Sequence, residues 1–128
     1  MSNFFIIFDL PEADEQDYDD IYCWAHASGG HHYLKLRSGG WGALPGHCLL
    51  MPYRTDDPKE ARELFLDDLM TQFKTRPVRF CVIRGERAAF AEPSDNVPEY
   101  VRTRRTAAQE HERRKLKRQG AAPPVAKQ

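Results

Sequence analysis

Three groups of side chains in this 128-residue chain have the chemistry of a functional site. Asp9 ends an apolar run that begins at Phe4, and a carboxylate at that place could bind Mg²⁺ together with waters and phosphate. His31, His32 and His47 could each act as a general base or as a metal ligand. The third group is a set of basic side chains near the carboxyl end, where phosphate contact is the expected chemistry.

The basic side chains fall into two clusters between residues 99 and 128. They are Arg102, Arg104, Arg105, Arg113, Arg114, Lys115, Lys117 and Arg118. Lys and Arg neutralise phosphates and release counterions without sequence preference, so this set predicts contact with RNA or DNA. Trp41, in the Gly-rich segment 38–46, could stack a base, or it could pack over a sheet edge or at a dimer contact.

Each of these groups also has a plainer interpretation. Asp9 could cap the following helix, and the acidic run 12–20 could be a solvated helix start rather than a source of further metal ligands. Neighbouring residues of a strand point to opposite faces, so His31 and His32 are poorly placed to share one metal. The basic clusters could lie on a solvated helix that docks on the acidic body of its own dimer.

The charge distribution separates a body from a tail. Residues 1–98 carry 10 Lys and Arg against 16 Asp and Glu, a net charge of −6, whereas residues 99–128 carry 9 against 3, a net charge of +6. Such asymmetry is typical of an interaction arm. Three cysteines without a CxxC pair indicate buried free thiols rather than a zinc site. With no membrane-length apolar run and no signal-peptide pattern, a cytoplasmic protein with no membrane partner is expected.

The elements that must position these groups follow from hydrophobic spacing. The run 3–10 is apolar on both faces and predicts a central strand, and helical spacing of Tyr18, Ile21, Tyr22 and Ala25 predicts a helix over 14–27. The other predicted elements are strands at 31–37, 47–53 and 78–84, a helix at 58–74 and a short fifth strand at 88–91.

This order, β-α-β-β-α-β, predicts an α+β fold of ferredoxin-like type, an antiparallel sheet with two helices on one face. The other face of the apolar central strand needs a cover, so we expect a homodimer. The predicted domain spans 1–92. A basic tail follows over 93–128, with a solvated helix at about 99–118 because large apolar residues are scarce there, and a disordered end.

The order of motifs resembles a known family. The strand Phe5-Ile6-Ile7-Phe8-Asp9-Leu10 is followed by a helix with the sequence Asp-Tyr-Asp-Asp-Ile-Tyr at 17–22, a Gly-Gly stop and a Trp-containing link. A strand then ends near a Thr-Asp helix start. Over residues 3–91 this pattern is similar to the small ferredoxin-like proteins related to the CRISPR-associated spacer-integration subunit, and more closely to their stand-alone bacterial relatives.

The resemblance implies a homodimer built on the sheet and work with nucleic acid. Some relatives are metal-dependent nucleases, one branch consists of antitoxins that cleave a toxin's messenger RNA, and others are architectural. In the nuclease members an aspartate at the end of the first strand, paired across the dimer, is taken to hold a divalent cation, and Asp9 occupies that position. The basic tail lies outside the resemblance.

Three functional hypotheses follow. The first is a small homodimeric nucleic-acid-associated protein of a defence or toxin–antitoxin system, which binds through its basic tail without need of catalysis. The second is a non-enzymatic protein-interaction module that uses the acidic body or the sheet edge. The third is a nuclease that uses Mg²⁺ held by Asp9, the one cofactor that the sequence suggests.

Overall fold

The protein has an α+β structure with antiparallel sheets. The structure, a computed structural model, describes residues 2–85, 92–94 and 96–120. In chain order its elements are β1 (Ser2–Asp9), α1 (Glu15–Ala27), β2 (Tyr33–Lys35), β3 (Trp41–Ala43), β4 (Cys48–Tyr53), α2 (Pro58–Phe73), β5 (Arg79–Gly85), β6 (Glu92–Pro93), a 3₁₀ turn (Glu99–Val101) and α3 (Arg104–Arg118).

Strand β1 is the centre of the main sheet, as predicted. It pairs antiparallel with β4 on one side and with β5 on the other. Alternation along β1 buries Phe4, Ile6 and Phe8 completely on one face. The same face of β4 contributes Leu49 and Met51 to this core.

Helices α1 and α2 pack on that buried face. Tyr18 and Ile21 of α1 and Phe65 of α2 belong to the same hydrophobic cluster as the inward side chains of β1. The start of α2 is the one predicted from sequence, because the Asp57 carboxylate accepts a hydrogen bond from the Lys59 backbone N–H (3.0 Å) and Pro58 opens the helix.

The other face of the main sheet is covered only in part. Phe5 packs beside Leu44 and Leu50. Farther along the same face Ile7 and Ile83 are 48% and 50% exposed, and Cys81, opposite Ile7 in the register, is also exposed. We call Ile7, Cys81 and Ile83 the open face. The prediction of a buried thiol is wrong for Cys81 and confirmed for Cys23 and Cys48.

The second predicted strand differs from expectation. The sequence predicts a strand over 31–37 in the main sheet. The chain instead forms β2, which pairs with β3 in a second sheet of order β2-β3-β6. One isolated bridge, between His31 and Leu50, links the segment before β2 to β4 of the main sheet. The reason is a tight turn in the Gly-rich segment. Gly39 adopts φ +97°, and the Leu36 N–H donates to the Gly40 carbonyl (2.7 Å), so β2 finds its backbone partners locally.

Helix α3 packs along α1, whereas the sequence predicts a solvated helix. Large apolar side chains are indeed scarce on α3, but fully buried Ala107 lets the two helices approach closely. The preceding 3₁₀ turn adds Tyr100 and Val101, which pack with Ala107 and Cys23 in a second hydrophobic cluster. The predicted strand at 88–91 and the chain beyond residue 120 lie outside the described residues. No described helix has both the length and the hydropathy to span a bilayer.

Candidate functional site

Three of the predicted nucleic-acid-binding residues meet at one cavity of about 330 Å³. Trp41, Arg102 and Arg104 line it, together with Lys35 and His31. We call this cavity the basic cleft. The described residues that line it include no carboxylate. Three fixed positive charges and an aromatic ring therefore share one concave surface.

Secondary structure fixes these side chains. Lys35 of β2 and Trp41 of β3 are directly opposed in the register of the second sheet. Arg104 is the first residue of α3, and its Nε donates to the carbonyl oxygen of Ala27 at the end of α1 (3.1 Å). Arg102 Nε donates to Glu99 Oε2 (2.8 Å).

Trp41 takes part in packing as well as in the cleft. It is half-buried, and with Tyr33 it rests on the cluster that contains Cys23 and Tyr100. The packed side of the indole holds the ring in place, and its remaining surface lines the basic cleft. The structure is therefore compatible with both interpretations of Trp41, a ring that packs against the protein and a ring that presents one face to a ligand.

Two of the predicted basic residues anchor α3 to the acidic start of α1. Arg114 Nη1 lies 2.7 Å from Asp19 Oδ2 and 3.1 Å from Asp20 Oδ1, and its Nε lies 2.6 Å from Glu110 Oε2. The Arg114 side chain is only 16% exposed. Arg118 Nη1 lies 3.4 Å from Asp20 Oδ2. Through these ion pairs, the basic helix α3 is held against the acidic first half of α1 in the same chain.

The other basic side chains of α3 face solvent or lie at its margin. Arg113 is 62% exposed and pairs with Glu110 of its own helix, and hydrogen bonds from Arg113 and then Arg114 lower the pKa of Glu110 to about 2. The side chains of Arg105, Lys115 and Lys117 make no hydrogen bond or ion pair with any described residue. Contact of these residues with nucleic acid stays a prediction.

A second site forms around Asp9, on the main sheet. Asp9 Oδ1 lies 3.1 Å from His47 Nδ1, and its Oδ2 accepts two hydrogen bonds from Arg79, from Nη2 at 2.7 Å and from Nε at 3.1 Å. Arg79 is the register partner of Asp9 on β5. Hydrogen bonds from His47 and from Arg79 lower the pKa of Asp9, so it is a carboxylate at neutral pH.

His47 is held by its backbone as well as by Asp9. It adopts φ +63°, its N–H donates to the Tyr22 hydroxyl (2.9 Å), and its carbonyl accepts from the Phe8 N–H (3.0 Å). The imidazole stacks on Tyr18 with 3.8 Å between ring centroids and 2° between planes. A non-glycine residue held in the left-handed region is uncommon and often marks a functional site.

His47 lines a cavity of about 460 Å³, which we call the tyrosine cavity. Its other described lining residues are Glu15, Gln16, Tyr18, Asp19, Tyr22, Tyr33 and Gly46. Aromatic faces and hydroxyl groups therefore surround a histidine that is 43% exposed.

The two neighbouring histidines of the sequence lie in different surroundings, although both precede β2 rather than forming part of it. His32 is buried, stacks on Tyr22 and contacts the Cys48 carbonyl oxygen through Nδ1 (2.8 Å), whereas His31 borders the basic cleft. Among the described residues, no group of three or more His, Cys, Asp or Glu side chains could hold a metal ion. Binding of Mg²⁺ by Asp9 stays a prediction, and a cation there would compete with Arg79 and His47 for the carboxylate.

Sequence reasoning named Asp9 and His47 separately and missed that they meet. They lie 38 positions apart, and only the antiparallel pairing of β1 with β4 brings them together. It also missed Lys35, which the structure places in the basic cleft. Comparison of the chain with protein-family models, curated proteins and solved structures found no match.

Proposed function

We propose that the protein binds single-stranded nucleic acid, RNA or DNA, in the basic cleft. The observation that carries this proposal is the convergence of Lys35, Arg102, Arg104 and Trp41 on one cavity whose described lining has no carboxylate. Such a site combines the two elements of single-strand binding, cations for the backbone and an aromatic face for a base.

The energetics favour a salt-dependent contact. Each base stacked on an aromatic side chain contributes about 1–3 kcal/mol, and each neutralised phosphate adds a counterion-release term. The Arg102–Glu99 pair is largely exposed, with side chains 66% and 83% accessible, so it contributes at most about 1 kcal/mol and a phosphate can replace Glu99. Arg105 and Lys117 extend the basic surface along α3.

Fluorescence anisotropy with labelled single-stranded RNA and DNA of one sequence tests the proposal. Three phosphate contacts predict a slope of about −2 for log K against log salt, hence a loss of about 20-fold in affinity between about 50 and 200 mM salt. Lys35→Gln, Arg102→Gln and Arg104→Gln should each make the slope shallower by about 0.7. Trp41→Leu should weaken binding by about tenfold and leave the slope unchanged.

The matched control is Arg76→Gln, which removes the same charge from an exposed loop residue between α2 and β5. Its affinity and slope should equal those of the wild type. The proposal fails if neither probe binds at low salt, or if the Arg76→Gln slope changes as much as those of the three cleft variants.

We also propose that the main sheet is a ferredoxin-like arrangement whose second strand in chain order is reduced to the bridge between His31 and Leu50. The order β4-β1-β5, with a bridge from His31 to β4, supports this because a ferredoxin-like sheet has its second strand beside the third. The open face then suits a second copy of the chain. Its side chains lie on β1 and on β5, and β5 pairs on only one side among the described residues, so a twofold contact could extend the sheet and cover the face.

A further inference from the structure

The constraints on His47 set the protonation pattern of its ring. Arg79 donates twice to one oxygen of Asp9, and the other oxygen faces His47 Nδ1. An ionised carboxylate only accepts hydrogen bonds, so in the neutral imidazole Nδ1 carries the hydrogen and Nε2 carries the lone pair. His47 Nε2 has no hydrogen-bond partner among the described residues. A histidine whose Nδ1 is oriented by a carboxylate and whose Nε2 is free has the arrangement of a general base.

Strand β2 contributes a lining residue to both the tyrosine cavity and the basic cleft. Tyr33 lines the first and Lys35 lines the second, and these residues are two apart on β2. Residues at that spacing lie on one face of a strand, about 7 Å apart. A nucleic-acid strand with one phosphate at Lys35 would thus place an adjoining nucleotide beside Tyr33, in the cavity that His47 lines.

The charges of the tyrosine cavity are largely compensated, which permits a phosphodiester nearby. Asp19 accepts hydrogen bonds from Arg114 (2.7 Å) and from the Tyr100 hydroxyl (2.7 Å). Arg79 in turn balances Asp9. Glu15 is the lining carboxylate that no described residue pairs with.

We propose that His47 is the general base of a metal-independent RNA cleavage site, with Asp9 as its positioning residue. This inference rests on the proposed binding of nucleic acid in the basic cleft. His47 Nε2 takes the proton of a ribose 2′-hydroxyl, the 2′-oxygen forms a bond to the adjacent phosphorus, and the bond from phosphorus to the 5′-oxygen breaks. The leaving oxygen takes a proton from water. The products are a 2′,3′-cyclic phosphate and a 5′-hydroxyl end, and DNA is not a substrate because it lacks the 2′-hydroxyl.

The test uses the full chain with EDTA, a labelled single-stranded RNA, the same sequence as DNA, and a 2′-O-methyl RNA. Wild-type protein should bind all three and cleave only the unmodified RNA, leaving 2′,3′-cyclic phosphate ends. His47→Asn should lower the cleavage rate at least about 100-fold, and affinity for the 2′-O-methyl RNA should stay unchanged. Asparagine suits this position because it tolerates a left-handed backbone.

Asp9→Asn separates positioning from folding. The rate should fall at least about tenfold, and ¹⁵N shifts of the His47 ring should report a changed tautomer balance, which a purely structural role for Asp9 would not produce. The control is Asp67→Asn, an exposed carboxylate on α2, which should cleave like the wild type. Circular dichroism melting shows that each variant is folded.

The outcomes separate this inference from the proposed function. RNA that binds and stays intact overturns the cleavage site and leaves nucleic-acid binding in place. Cleavage that persists in His47→Asn, or that EDTA abolishes, also overturns it. If no probe binds, both proposals fail together.

Discussion

At the scale of single residues, the least exposed charged contact of α3 is the one made by Arg114. Its guanidinium serves Asp19, Asp20 and Glu110 at once and lies 5.2 Å from the Tyr100 ring centroid. Its removal would leave Asp19 without a guanidinium partner, whereas Asp20 would keep Arg118 and Glu110 would keep Arg113. Breaking a buried ion pair from one side is costly because desolvated charge remains behind.

We predict that Arg114→Gln lowers the free energy of unfolding by about 3 kcal/mol, the lower end for a broken buried pair. Urea denaturation followed by circular dichroism measures this. The control is Arg113→Gln, one residue earlier on the same helix, where an exposed pair is worth less than about 1 kcal/mol. Equal losses in the two variants would contradict a special role for Arg114.

His26 makes stability depend on pH. Its Nε2 accepts hydrogen bonds from the backbone N–H groups of His32 (3.1 Å) and Tyr33 (3.2 Å), so protonation there would oppose both. Burial, helped by His31 and His32, lowers the pKa of His26 to about 3.

Because the folded-state pKa lies below the unfolded value of 6.5, the unfolded chain binds the proton first as pH falls. The contribution of His26 to the free energy of unfolding is therefore complete above pH 6.5. It declines by about 1.4 kcal/mol for each pH unit as the pH falls from 6.5 toward 3. Urea denaturation at pH 7, 6 and 5 should show this decline, and His26→Gln should have a shallower one. Parallel curves for the two proteins would contradict the prediction.

At the scale of elements, local signals predicted more than long-range ones. The Asp57-Pro58 start of α2 and the alternation of β1 depend on neighbouring residues, and both are confirmed. The docking of α3 depends on a small side chain, Ala107, and on ion pairs to residues some 95 positions away, such as Asp19 with Arg114, which no periodicity reveals. For the same reason the sequence could suggest Asp9 and His47 as candidates but not as a pair.

The packing of α3 on α1 can be tested with two adjacent alanines. Ala107 is fully buried at the contact and Ala108 is exposed. Ala107→Leu should destabilise the protein by about 1–3 kcal/mol because the helices have no room for three more carbons. Ala108→Leu should change the free energy of unfolding by less than about 0.5 kcal/mol. Thermal melts of both variants test this prediction, because only Ala107→Leu should melt at a clearly lower temperature. Equal melting temperatures would contradict the packing of α3 on α1.

At the scale of the whole molecule, the open face is the surface through which we expect two copies of the chain to associate. We predict that the wild type sediments as a dimer at micromolar concentration and that Ile83→Glu sediments as a monomer, because a carboxylate on the face would be desolvated on association. The control is Met70→Glu, a 45% exposed apolar residue on α2, which should remain dimeric. A monomeric wild type would contradict the proposed dimer.

The three thiols differ in chemical reactivity. Burial raises the pKa of Cys23 to about 12 and that of Cys48 to about 11, so neither forms much thiolate near neutral pH, and both are shielded from reagents. Cys81 is exposed and stands on the open face. A single thiol-directed label would therefore mark the folded chain at one place, and its rate of attachment would report whether that face is covered in solution.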